Sequence, residues 1–238
     1  MTDVASPAPH PSGNLLLIAA RAPVPGQTKT RLGAAIGMDR AAALAAAFLT
    51  DLARRFAPGD PRFALGWAFS PPEYDFSVVL ATIGCPRGVK GWPLLVPQAG
   101  ADWGERQANL LRWGAARGYA RTVLIASDSP HLGANVPLRA FAALADHDVA
   151  LGRVHDGGYY LIGLRGFHDV FSGVPMSTAD AAGRLVERAH ALGLTVAATP
   201  PTFDVDEEAD LDRLRRALAP SGAAAPATWA ALGDLGLR

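Results

Sequence analysis

Leu15-Leu16-Leu17-Ile18-Ala19-Ala20 runs without a polar side chain into Arg21-Ala22-Pro23-Val24-Pro25-Gly26-Gln27-Thr28-Lys29-Thr30-Arg31-Leu32. Six continuous apolar residues read as a strand buried on both faces, the kind that parallel sheets contain. Two prolines and a glycine then fix the backbone of a loop. A short helix is expected from about Thr28. The order strand, cation-bearing loop, helix is that of an α/β protein.

The rest of the chain repeats this alternation. Further strands are expected at Arg62–Phe69, Ser77–Ala81, Leu94–Pro97, Thr122–Ala126, Asp148–Leu151, Tyr159–Leu164 and Leu194–Ala198. Helices are expected at Asp39–Phe56, Glu105–Gly118, Ala134–Asp146, Thr178–Leu192 and Glu207–Leu218. In the first of these, Leu44, Phe48, Leu52 and Phe56 recur every fourth residue and read as one apolar stripe. Strands alternating with helices imply crossover connections, hence a three-layer sandwich with a mostly parallel sheet between helices. Residues 13–219 read as one domain after a disordered leader, 1–12. A Pro/Ala-rich stretch and a short C-terminal helix, 220–238, are expected to dock on it.

Composition excludes several classes. The 238 residues carry 22 Lys+Arg against 22 Asp+Glu. A zero formal charge lacks the basic footprint of a nucleic-acid binder. No apolar run approaches the roughly 18–20 residues that span a membrane. The N-terminus has neither the basic nor the apolar region of a signal peptide, so a cytoplasmic location is expected. Cys85 is the single cysteine, which rules out an internal disulfide. Arginine outnumbers lysine 20 to 2, so Lys29 and Lys90 stand out.

In an open α/β sheet, ligands bind beyond the carboxyl ends of the strands. After the first strand, Arg21, Lys29 and Arg31 put three cations within eleven residues, with helix amides beside them. That is a phosphate site; a proline-rich turn with solvated cations is the plainer alternative. There is no G-x-G-x-x-G, and Thr28 occupies the glycine position a Walker A loop requires before its lysine. Asp128 follows an apolar strand within Ser127-Asp128-Ser129-Pro130. It is placed to ligate Mg²⁺ (or Mn²⁺), and equally to start a turn. Asp206, in Phe203-Asp204-Val205-Asp206-Glu207-Glu208, reads as a helix cap or as a second carboxylate on the same metal. In Asp156-Gly157-Gly158-Tyr159, two glycines permit either close approach to a ligand or a hairpin turn. The segment Gln98-Ala99-Gly100-Ala101-Asp102-Trp103-Gly104-Glu105-Arg106 is a polar loop entering a helix. The six histidines show no metal-binding spacing, and no nucleophilic triad or elbow appears.

Together and in this order, these motifs resemble the bacterial glycosyltransferase-A-like family of radical-SAM-associated or arsenosugar-biosynthesis-type transferases. They are more distantly similar to 2-phospholactate guanylyltransferase and the molybdenum-cofactor nucleotidyltransferases. The similarity covers roughly residues 14–215: the loop Ala22–Leu32, the segment 98–106, Ser127–Pro130, Asp156–Leu164 and Asp204–Asp206. Arg21 replaces the usual lysine, and Met176 stands where tryptophan is usual. The resemblance implies a glycosyltransferase-A (nucleotide-diphospho-sugar transferase) fold. It implies nucleotide binding by Arg21, Pro25, Gly26, Lys29, Arg31, Gln98, Gly100, Asp102 and Arg106. Catalytic roles would fall to Lys29, Arg31 and Asp128, and Mg²⁺ to Asp128 and Asp206. A small-molecule acceptor would meet Asp156, Gly157, Gly158, Tyr159, Ser177 and Thr178. Nucleotidyl transfer from an NTP to a phosphate- or carboxylate-bearing acceptor is the leading expectation. Glycosyl transfer from a nucleotide sugar is the alternative, and a non-catalytic nucleotide-binding module the third. No oligomeric state follows from the sequence.

Overall fold

A seven-stranded sheet with the order β3-β2-β1-β4-β6-β5-β7 forms the centre of the fold. The computed structural model describes residues 10–85, 93–176, 178 and 180–238. Most of the expected leader, Lys90 and Ser177 lie outside these. The strands are β1 (Asn14–Arg21), β2 (Ala64–Ser70), β3 (Leu94–Pro97), β4 (Arg121–Ala126), β5 (Val149–Val154), β6 (Tyr159–Arg165) and β7 (Val196–Thr202). The helices are α1 (Thr30–Ile36), α2 (Met38–Arg55), α3 (Phe76–Thr82), α4 (Trp103–Ala116), α5 (Asn135–Ala143), α6 (Ala181–Ala191), α7 (Glu208–Leu218) and α8 (Pro226–Asp234).

All strand pairs are parallel except those of β6, which runs antiparallel to both β4 and β5. Asp156-Gly157-Gly158 is therefore the turn of the β5–β6 hairpin. β7 carries Pro200 and Pro201, which an edge strand tolerates because one side of its ladder is unpaired.

Side chains of β1 alternate between two cores. Leu16, Ile18 and Ala20 pack with α2, α3 and α5. Leu15, Leu17 and Ala19 pack with α4 and α6 on the opposite face. A third core holds Leu32, Leu44, Phe48, Leu211, Leu214 and Leu232, joining α1, α2, α7 and α8. The fourfold stripe of α2 therefore serves two cores. Each four-residue step overshoots a full turn by about 40°, so Leu44 and Phe48 face α7 and α8 while Leu52 and Phe56 face the sheet. α8 is tied down by Asp51 of α2, whose buried carboxylate accepts from the amides of Ala227 (2.9 Å) and Thr228 (2.7 Å).

One expected strand is a helix. Ser77–Ala81 lies within α3, despite its β-branched Val78 and Val79. Asp75 caps this helix, accepting from the Ser77 amide at 3.1 Å and its hydroxyl at 2.6 Å. Local capping and a buried face of Phe76, Val79 and Leu80 outweigh strand propensity. Among the described residues no helix is long and apolar enough to cross a membrane.

Candidate functional site

The chain leaves β1 for β2 on one side, and later returns from β3 at the sheet edge to β4 on the other. The strand order thus reverses between β1 and β4, where a parallel sheet leaves a crevice at its carboxyl edge. A cleft of about 320 Å³ lies there. It brings together Arg21 at the end of β1, Lys29 just before α1, Arg31 of α1, Gln98 just after β3, Arg106 of α4, and Asp128 and Asp206.

Its centre is an ion-paired triad. The Lys29 ammonium donates to Asp128 Oδ1 and to Asp206 Oδ1, the latter at 2.7 Å. The lysine side chain is only 6% exposed, while Asp128 and Asp206 are 36% and 46% exposed. Burial pulls the ammonium pKa down, but the two carboxylates more than offset this and hold it above its ordinary value. Lys29 adopts φ 47°, ψ 44°, and helix α1 starts one residue later than this left-handed position. The helix thus begins at Thr30, two residues beyond the expected start.

Two hydrogen bonds join the segments that carry the carboxylates. The Val205 amide donates to Asp128 O at 3.0 Å, and the Ser129 hydroxyl donates to Phe203 O at 2.7 Å. Asp206 does not cap α7. That cap is Glu207, in a reciprocal box with Asp210, which leaves the Asp206 carboxylate free to face Lys29. Beneath the site, His131 stacks on Phe203 with ring centroids 4.0 Å apart, and its Nε2 meets Thr202 Oγ1 at 2.9 Å. Burial, with Arg55 nearby, lowers its pKa to about 4.

The Asp204 carboxyl pKa is pushed up to about 6 by burial and then by the charges of Asp206, Asp156 and Asp128. The charges of these three carboxylates therefore act on the half-buried Asp204. Hard carboxylate oxygens, two of them already converging on one cationic point, suit Mg²⁺ or Mn²⁺. Among the described residues no three metal-binding side chains are preassembled.

The remaining expected residues are divided between lining the cleft and shaping it. Pro25 and Gly26 sit at the exposed loop tip, where Gly26 (φ 74°) closes a turn onto Val24 O. Gly100 has φ 143°, and a Cβ there would lie 2.8 Å from the Arg106 amide. Arg106 Nε donates to Gly100 O at 3.0 Å. Asp102 is the N-cap of α4, accepting from the Glu105 amide at 2.8 Å. Buried Gln98 donates to Ala68 O at 2.8 Å. Asp156 accepts from the Gly158 amide and Gly157 O from the Ala182 amide, at 3.0 and 3.1 Å. The Tyr159 hydroxyl accepts from Gln107 at 2.6 Å and faces Met176 Sδ at 3.5 Å, so it is tied into the α4 packing. Burial raises its pKa well above the ordinary value. Thr178 is exposed and bonded to Pro175 O at 3.3 Å. None of Asp156, Gly157, Gly158, Tyr159 or Thr178 lines the cleft.

Ser70, Trp103, Ser127 and Phe48 line the cleft without having been singled out as binding residues. Ser70 and Ser127 end or follow strands, so the same strand-end logic points to them. Phe48 is in mid-helix, and the sequence gives no sign of its proximity.

Comparison with known proteins agrees with this fold. A family described as uncharacterized protein conserved in bacteria (DUF2064) matches residues 87–178. A crystal structure from Desulfovibrio desulfuricans G20, described as a candidate nucleotide-diphospho-sugar transferase, is 31% identical with TM-score 0.83. The match covers 93% of this chain and 94% of that one. CMP:2-keto-3-deoxy-manno-octonic acid synthetase complexed with CTP shares the fold at 12% identity and TM-score 0.52, over 87% and 98% of the two chains. So does a cytidylyltransferase from Leptospira borgpetersenii serovar Hardjo-bovis, at 9% and 0.51 over 94% of each. No functionally curated protein is detectably similar in sequence. Fold and site define an α/β protein of the nucleotide-diphospho-sugar transferase type. The chain belongs to the same transferase family as the D. desulfuricans protein.

Proposed function

We propose that the protein is a divalent-metal-dependent nucleotidyltransferase. It would join the nucleotidyl group of an NTP to a small acceptor bearing a phosphate or carboxylate. The observation that carries this reading is the meeting of Arg21, Lys29, Arg31 and Arg106 with Asp128 and Asp206 in one cleft at the strand-order reversal. Four cations suit a triphosphate, which has more charge to neutralise than a diphosphate linked to a sugar. An acceptor oxyanion attacks the α-phosphorus, the bond to the β-phosphate oxygen breaks, and pyrophosphate leaves with the electron pair. Lys29 and the arginines hold the phosphates and offset charge on the leaving pyrophosphate. Gln98 and Arg106 would border the nucleoside. Asp128 and Asp206 would hold Mg²⁺, which when bound supplies charge neutralisation at the reacting phosphoryl group. Catalysis is then mainly positioning and electrostatics, with no covalent enzyme intermediate. A cytoplasmic NTP pool is the setting this reading expects.

Glycosyl transfer from a nucleotide sugar is the second reading. The description of the D. desulfuricans relative favours it, and the narrower resemblance to radical-SAM-associated transferases belongs with it. A thermal-shift panel of NTPs and nucleotide sugars, each with Mg²⁺ and with EDTA, separates the two. A ligand at 100 times its Kd stabilises by about 2.7 kcal/mol, a rise of roughly 5–10 °C for a chain of this size. A Mg²⁺-dependent rise with one NTP is expected. A rise with a nucleotide sugar and its diphosphate, but not the triphosphate, would favour glycosyl transfer.

A further inference from the structure

Lys29 occupies the point where two carboxylates would meet a divalent cation. Its side chain is almost fully buried, and its ammonium is shared by Asp128 and Asp206. The Phe48 ring lies 6.0 Å from the same nitrogen. Lys29 is also the sole non-glycine with positive φ among the described residues, a conformation that disfavours a side chain carrying a Cβ. An ammonium and a metal ion compete for the same oxygens. A cation arriving alone must expel a buried lysine from both of its carboxylate partners. A cation arriving with a polyphosphate brings another anion for the lysine to meet.

We propose that Lys29 keeps Asp128 and Asp206 closed to a free divalent cation and yields them to one that arrives with a polyphosphate, onto which its ammonium moves. This rests on the nucleotide reading above. Lys29 is then a positioning residue that makes metal and triphosphate bind synergistically. By reciprocity each must raise the other's affinity by the same factor. Arg31 provides the contrast. Among the described residues it pairs only with Glu207, at 3.5 Å, and both are exposed, so its removal should leave the metal ligands as they are.

The test is Mn²⁺ binding by equilibrium dialysis, with tripolyphosphate equal on both sides where it is present, in wild type, Lys29→Met, Lys29→Gln and Arg31→Ala. Mn²⁺ alone should bind both Lys29 variants at least tenfold more tightly than wild type or Arg31→Ala. Inorganic tripolyphosphate should raise Mn²⁺ affinity at least tenfold in wild type and much less in the Lys29 variants. Equal Mn²⁺ affinity in wild type and the Lys29 variants, or an equal gain in Arg31→Ala, would overturn the displacement while leaving the nucleotide reading intact. No Mn²⁺ binding by any form, with or without tripolyphosphate, would overturn both. If the Lys29 variants do not fold, the wild-type coupling factor decides: a factor near one overturns the proposal.

Discussion

Lys29 is legible in sequence as one of two lysines in an arginine-rich chain, placed just past the first strand. What the sequence does not show is its partner. The ion pair with Asp206 spans 177 positions, and no local pattern encodes a contact of that separation. Asp206 itself reads as a cap because acids before a helix usually are; Glu207 takes that role one residue later. Replacing Lys29 by Met should lower Tm by only a few degrees, because the carboxylates it pairs with are a third or more exposed and screened. NTP affinity should fall at least tenfold in the same variant, measured by calorimetry. His131 sets a pH dependence. Its folded pKa lies near 4, below the ordinary 6.5 of an unfolded histidine. The unfolded chain therefore takes up a proton that the buried ring refuses, and this contribution to stability is lost as pH falls from about 6.5 to about 4. The Tm advantage of wild type over His131→Gln should shrink across that window. A difference constant from pH 7 to pH 4 would contradict it.

At the scale of elements, alternation and strand-end residues predict the layer order, and β1, β3, β4 and β6 emerge within a residue or two of their expected bounds. α3 was hidden because four apolar residues in a row do not distinguish strand from helix, and its deciding feature, the Asp75 cap, lies outside the apolar run. The docking of α8 depends on a charge in the middle of α2. Asp51→Ala should cost about 2 kcal/mol, since it leaves two helix-start amides without a charged acceptor; urea denaturation measures this. α4 is held close to β4 by Gly114. A Cβ there would lie 2.3 Å from Thr122 Oγ1 and 3.1 Å from Leu15 Cδ2. Gly114→Ala should destabilise by about 1–3 kcal/mol through overpacking, against the roughly 1 kcal/mol that helix propensity alone would return. Adding Thr122→Ala should recover part of the loss.

For the whole molecule, the reversal of strand order between β1 and β4 turns separate motifs into one site. Residues 21–31, 98–106, 128 and 206 are far apart in the chain and share one edge of the sheet. Their convergence follows from parallel topology, which the alternation of elements implies; the distances within the cleft do not. The acceptor side is the part least readable in sequence, because Asp156-Gly157-Gly158 serves a hairpin turn and Tyr159 serves packing. The central claim is that this cleft binds a nucleotide through a metal held by Asp128 and Asp206. Its most direct test is calorimetric titration of the nucleotide giving the largest thermal shift into wild type and Asp128→Asn, each with Mg²⁺ and with EDTA. The account predicts binding by wild type with Mg²⁺, weakened at least tenfold by EDTA and to a similar degree by the substitution. Equal affinity in all four titrations would contradict it.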